Sequence, residues 1–156
     1  MRKVFGKLIV DLAKKDKKIV LITGDVEHEM EIFKKKFPKR FFNIGLCEQS
    51  MISLAAGIAS EGLIPIVYSI TPFLLERPFE QIKIDIDEQN LKVILVGYAD
   101  YPTHGPTHSA LNAKKLVSIF KNIEGYFPKS QNEKKQAILR SYKQKKPSII
   151  CLKKVR

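Results

Sequence analysis

The sequence predicts an α/β fold: a single three-layer domain in which a six-stranded, mostly parallel sheet is flanked by helices. Three observations carry this. Along 156 residues, six short apolar runs rich in β-branched residues alternate with segments of helical periodicity. Those runs are apolar throughout rather than at every second position, so both faces of each strand are covered. No internal repeat or low-complexity linker divides the chain, and its length suits one domain with its own core.

The elements follow in order. Val4, Phe5, Leu8, Ile9 and Leu12 recur at helical spacing and predict an N-terminal amphipathic helix. "KIVLITG" (18–24) is a strand ending in glycine. "EMEIFKKKF" (29–37) is helical and stops at Pro38. "RFFNIG" (40–45) is a second strand. From Met51, the residues Leu54, Ala55, Ile58 and Ala59 mark a helix that Gly62 ends. "IPIVYS" (64–69) is a third strand. "RPFEQIKIDIDEQ" (77–89) reads as a helix with Pro78 in its first turn. "KVILVGYA" (92–99) is the most strand-like run. Ala113, Leu116, Val117 and Phe120 mark another helix face, and "NIEGYF" (122–127) is a weaker strand. Ser130 with Glu133 forms a capping box for a helix to about Lys143. "PSIICL" (147–152) is the final strand.

Composition narrows the function classes. No apolar run is long enough to span a bilayer, and the start is not a secretory signal, so no membrane role is expected and the expected compartment is the cytoplasm. Cys47 and Cys151 lie in apolar surroundings and read as buried, reduced thiols. The formal net charge is +12, with lysine clusters at 34–40 and 143–147. A solvated lysine-rich surface accounts for it as well as an acidic partner or phosphorylated substrates do. No zinc-finger spacing or RNA-binding aromatic motif supports nucleic acid.

In parallel sheets, ligands sit at the carboxyl ends of the strands. Four segments fall there: "TGDVEHE", "NIGLCEQ", "YSITPFLLER" and "GYADYPTHGPTHSA". Glu48 follows a strand and opens a helix. By itself it reads first as an acid complementing the helix dipole, worth ~0.3–1 kcal/mol. Phe42, Leu46, Cys47 and Met51 make that seam apolar, however, and an acid there needs a partner. His104 and His108 would need a shared helix face to bind a metal as a pair. Gly105 and Pro106 make a turn instead, so no metal site is expected, and His28 does not complete one. Such a loop either places an imidazole over a substrate or carries two surface histidines. Phe73, Leu74, Leu75 and Phe79 are ordinary core candidates beside Arg77. No GxGxxG, Walker A, GxSxG or HExxH pattern is present.

Three segments together resemble one family. "PKRFFNIGLCEQSMISLAAGIASEGLIPIVYS" (38–69) resembles the transketolase signature, in which Pro-x-Arg and a strand lead into Asn-x-Gly-x-x-Glu and a small-residue helix. "TPFLLERPFEQI" (71–82) is similar to that family's Thr-Phe…Arg-aromatic-Asp-Gln-Ile segment, and "HGPTHSALN" (104–112) to its Asp-Gly-Pro-Thr-His-Gln loop. The order and spacing agree over about residues 18–152. The resemblance implies a thiamine-diphosphate enzyme, with this chain as the pyrimidine-binding domain of that cofactor's fold.

It also implies roles. Glu48 matches the acid that hydrogen-bonds N1′ of the cofactor's aminopyrimidine. By sharing its proton there, the acid favours the imino tautomer that removes the thiazolium C2 proton. Phe73 matches the ring-stacking aromatic, with Tyr68 and Phe79 as further pocket candidates. His108 matches the histidine beside the reacting carbonyl, and Asp25 an acid near the cofactor. His104 and Arg77 fall where substrate is bound. The chain departs from the family at His104, where the family has Asp, and at Ser109, where it has Gln. Both positions recognise sugars, which puts the standard sugar preference in question.

The family's Gly-Asp-Gly…Asn motif, which holds the diphosphate and Mg²⁺, does not occur. The pyrophosphate-binding and C-terminal transketolase domains are therefore expected to be absent from residues 1–156, with Mg²⁺ held by a separate pyrophosphate-domain subunit in a heterotetramer. The expected activity is ketol transfer between sugar phosphates, and the chain is expected to be inactive without that partner. The alternatives are deoxyxylulose-phosphate-synthase-like chemistry, 2-oxoacid decarboxylation or dehydrogenation, and a non-catalytic assembly role.

Overall fold

A computed structural model describes residues 2–27, 30–99 and 104–152. Six strands form one sheet: β1 (Ile19–Thr23), β2 (Phe41–Asn43), β3 (Ile64–Ile70), β4 (Ile94–Tyr98), β5 (Glu124–Tyr126) and β6 (Ser148–Leu152). The spatial order is β2-β1-β3-β4-β6-β5, and every neighbouring pair is parallel. All residues of β1, β4 and β6 are buried, the pattern of strands covered on both faces.

Two apolar layers cover the faces. On one, α1 (Arg2–Lys15) and α7 (Gln131–Lys143) pack Phe5, Ile9, Ala137 and Ile138 against Leu21, Tyr68, Val96 and Ile150. On the other, α3 (Glu48–Ser60) sets Met51, Ile52, Ala55 and Ala59 against Val20, Ile22 and Val67. The short helix α4 (Thr71–Leu75) joins this second layer through Leu74 and Leu75. The alternation along each strand decides which layer a residue joins.

Several boundaries differ from the sequence reading. α3 starts at Glu48, three residues before Met51, so the acid lies inside the first helical turn. Thr71–Leu75 is helical, with Pro72 at a position where its missing N–H costs nothing. The segment expected as one helix from 77 to 89 is a turn of α5 (Phe79–Gln81) that widens into a π-helical turn at Ile82–Asp87. α6 (Ala113–Val117) ends before Phe120. The remaining helix, α2 (Glu31–Lys36), stops before Pro38 as expected. The Ser130 hydroxyl accepts the Glu133 N–H, and the Glu133 carboxylate accepts the Lys129 N–H at 2.8 Å, one residue ahead of a standard capping box.

Two polar anchors fix the layers. Arg40 donates to the carbonyls of Ala13, Asp16 and Ile19, capping the end of α1, and its guanidinium lies 4.1 Å from the Phe37 ring centroid. Asp87 is buried and accepts the backbone N–H groups of Lys121, Asn122 and Ile123, tying the π-helical turn to the approach to β5. Among the described residues, no helix is long and apolar enough to cross a membrane.

Candidate functional site

The sequence segments that could carry chemistry converge at the carboxyl ends of β1, β2, β3 and β4. The turn after β2 is set by Asn43. Its side-chain oxygen accepts the N–H of Gly45 and the N–H of Asp25, both at 3.0 Å, and its amide donates to Glu27 at 2.6 Å. One asparagine thus ties the loop after β1 to the loop after β2. Gly45 adopts φ +73°, a conformation that costs glycine least. A Cβ on Gly24 would stand 3.0 Å from the Gly45 carbonyl oxygen, so these loops approach as closely as backbone permits. The chain then enters α3 with Glu48 in place.

Glu48 is only 2% exposed. Its Oε1 accepts a hydrogen bond from Nη1 of Arg77 at 2.9 Å. The guanidinium carbon of Arg77 lies 3.4 Å from the ring centroid of Phe73, so the arginine rests on the aromatic face while it reaches the acid. The His108 ring meets Phe73 edge-on at 4.8 Å, and the His104 ring lies 5.6 Å beyond. Thr107 Oγ1 and His108 Nδ1 are 3.1 Å apart. His108 ends a 3₁₀ turn, Pro106–His108, entered through Gly105, and His104 directly precedes that glycine. That turn is anchored downstream, where the Leu111 N–H donates to Glu76 at 2.7 Å. Glu48, Arg77, Phe73, His108 and His104 therefore form one continuous series drawn from three segments.

The structure does not bring every candidate into this series. Tyr68 is fully buried on the opposite side of the sheet, stacked on Phe5 at 5.3 Å, because strand alternation turns it away from its neighbours Val67 and Ser69. Phe79 pairs with Phe120 at 5.1 Å and lines a separate cavity of about 290 Å³ with Lys83, Asp87, Lys121 and Asn122. Asp25 is exposed at the end of β1, with φ +58°, and its backbone N–H donates to Asn43 in the turn ahead of α3. His28 lies outside the described residues, as do Asp100 to Thr103 ahead of the histidine turn.

The apolar seam around Glu48 also differs from expectation. Met51 is buried, but Phe42, Leu46 and Cys47 are exposed, because Phe42 lies on the edge strand β2 and Leu46 and Cys47 lie in the surface turn that follows it. Cys151 alone of the two thiols is buried, and burial pushes it up to about 12. Asn43 and Arg40 were legible in the sequence only as motif positions. Their hydrogen bonds give them local structural tasks.

The comparisons agree with this architecture. The sequence pattern described as "Transketolase, pyrimidine binding domain" matches residues 1–156. The chain is 36% identical over 140 residues to the 1-deoxy-D-xylulose-5-phosphate synthase of Clostridium beijerinckii, covering 84% of this chain and 22% of that protein. It is 37% identical over 109 residues to one of the subunits of the apulose-4-phosphate transketolase of Actinobacillus succinogenes, covering 68% of this chain and 35% of that one. The chain thus spans about a fifth to a third of the length of these relatives. Among solved structures, it superposes with a TM-score of 0.86 on "Split gene transketolase, inactive beta4 tetramer", at 28% identity, over 97% of this chain and 50% of that one. The fold also matches the transketolase of Campylobacter jejuni, with a TM-score of 0.86 at 18% identity, over 97% of this chain and 25% of that one. With the six-stranded parallel sheet and the match along its whole length, the chain belongs to the transketolase pyrimidine-binding-domain family.

Proposed function

We propose that this chain is the pyrimidine-binding subunit of a split transketolase-like enzyme. It would move a two-carbon ketol unit between sugar phosphates, with thiamine diphosphate held between it and a separate pyrophosphate-domain subunit that also binds Mg²⁺. The observation that carries this reading is Glu48: a carboxylate 2% exposed, with a planar N–H donor on it that is stacked on Phe73. An aminopyrimidine ring asks for the same surroundings, an acid in its plane and an aromatic on its face. The residues present therefore fit the group.

When bound, the cofactor supplies the nucleophilic carbon and the electron sink for breaking a carbon–carbon bond. The chain's own residues do the rest. Glu48 holds a proton at N1′ from a site that water barely reaches. Phe73 gives the ring a face to pack on. His108, fixed edge-on to Phe73, stands where a proton is exchanged with a substrate carbonyl oxygen. His104 lies beyond His108, where a phosphorylated sugar would enter, and Arg77, now seated between Glu48 and Phe73, is the second group for that substrate. Asp25, at the end of β1, would face the partner.

The split-gene transketolase and the relative named as one subunit of a transketolase support a partner chain, which we place in a heterotetramer with two sites in the cytoplasm. The net charge of +12 would speed encounter with an acidic partner.

The second reading is deoxyxylulose-phosphate-type synthesis, favoured by relatives of that name at 31–37% identity. A non-catalytic assembly role leaves the buried Glu48 without a purpose. The test is co-expression with a pyrophosphate-domain subunit, calorimetry with thiamine diphosphate and Mg²⁺, and an assay for both reactions. Ketol transfer without CO₂ release supports the first reading, and CO₂ release from a 2-oxoacid the second. A pair that binds no cofactor overturns both.

A further inference from the structure

Arg77 stands on the two groups that the proposed reading assigns to the cofactor. Its guanidinium is planar, carries N–H donors at its edge and lies 3.4 Å from the centroid of Phe73. One of those donors satisfies Glu48 at 2.9 Å. A 4-aminopyrimidine offers the same outline: a flat, nitrogen-rich group that meets a carboxylate at its edge and an aromatic ring on its face. Both cannot hold the same oxygen of Glu48 and the same face of Phe73. Arg77 is also able to leave. Its side chain is 36% exposed and its polar partner among the described residues is Glu48, so a swing into solvent breaks one ion pair and one ring contact. Glu48, at 2% exposure, has no such freedom.

From this we infer that Arg77 is a built-in occupant of the aminopyrimidine slot, which the cofactor must displace in order to load. The inference rests on the reading of Glu48 as the aminopyrimidine's acid. It has two consequences. The free chain keeps its buried carboxylate neutralised and its aromatic face covered in the absence of cofactor, avoiding the cost of an unpaired buried charge. And its apparent affinity for the ring is lowered by the fraction of molecules in which Arg77 is seated. Once released, the guanidinium is free at the mouth of the site, a position suited to an anionic substrate.

The test uses the full chain and 4-amino-5-hydroxymethyl-2-methylpyrimidine, which needs no diphosphate site. Affinity is measured for the wild type, R77M, R77A and E48A. Removal of the guanidinium should tighten binding about tenfold, and E48A should abolish it. Ethylguanidinium added to R77A should refill the slot and compete with the pyrimidine. A second measurement needs no destabilising change. In the wild type, nitrogen-15 NMR should show hindered rotation of the Arg77 guanidinium, assigned through R77K, and titration with the pyrimidine should free it. If R77M binds no better than the wild type while E48A loses binding, or if the guanidinium stays hindered in the loaded chain, the displacement is overturned and the site stands. If E48A binds as the wild type does, or if no form binds, the site reading itself falls, and the displacement with it.

Discussion

Arg77 donates to Glu48 across 2.9 Å, joining a residue from beyond α4 to the first turn of α3, 29 positions earlier in the chain. The pair closes the end of the second helical layer. On the proposed reading, Glu48→Gln keeps the size and removes the exchangeable acid. In the assembled enzyme, hydrogen–deuterium exchange at the cofactor's C2 should slow by about 10²-fold or more, while calorimetry shows cofactor still bound. Near-normal exchange would remove Glu48 from its assigned role.

His108 meets Phe73 edge-on at 4.8 Å, so its ring orientation depends on that contact. His108→Asn should lower kcat by about 10²–10⁴ with little change in cofactor affinity. Phe73→Ala should reduce both, since it removes the stacking face and the support of the imidazole. Steady-state kinetics beside calorimetry separates the two. Equal effects of both variants on affinity would contradict this division of tasks.

Far from that end of the sheet, Asp87 accepts the N–H groups of Lys121, Asn122 and Ile123 and is 5% exposed. Asp87→Ala leaves these donors without their acceptor. It should cost about 3 kcal/mol of stability, read from urea unfolding, and leave the aminopyrimidine affinity of the folded chain unchanged.

The two cysteines should differ in reactivity. In the native chain a thiol reagent should modify exposed Cys47 quickly and buried Cys151 only on unfolding. The buried thiol also gives a pH dependence. Burial raises Cys151 from 9.0 to about 12, so the unfolded chain loses its proton first as pH rises. The stability linked to this thiol is complete below about pH 9 and is lost between pH 9 and 12. Cys151→Ala should flatten that part of the stability profile, measured by urea titration across the range.

The loop approach at Gly24 gives a last expectation. Gly24→Ala would press a methyl against the Gly45 carbonyl at 3.0 Å, where backbone must give way. The turn that delivers Glu48 would shift. Aminopyrimidine affinity should fall several-fold even though the substituted residue touches no ligand, and an unchanged affinity would show that the turn is not held by this contact.

Apart from the helix Thr71–Leu75 and the π-helical turn at Ile82–Asp87, the sequence by itself determined the strand order along the chain, most of the helices, the parallel sheet and the segments that meet at its carboxyl end. These depend on hydrophobic period and on glycine, proline and capping signals, all local properties. Glu48, Phe73 and His108 were singled out by their resemblance to one family's motifs, and the structure sets them in one series with Arg77. Only the tertiary structure decided the rest. It turned Tyr68 to the far face, because side chains alternate along β3 and both faces here are apolar, so composition does not say which is which. It exposed Cys47 and Leu46, because an apolar residue in a surface loop has no layer above it. It also set Arg77 on Glu48 and Phe73, a contact between an arginine and an acid 29 residues apart. That contact follows from how α3 and α4 pack against the sheet, and no local pattern encodes the distance between them.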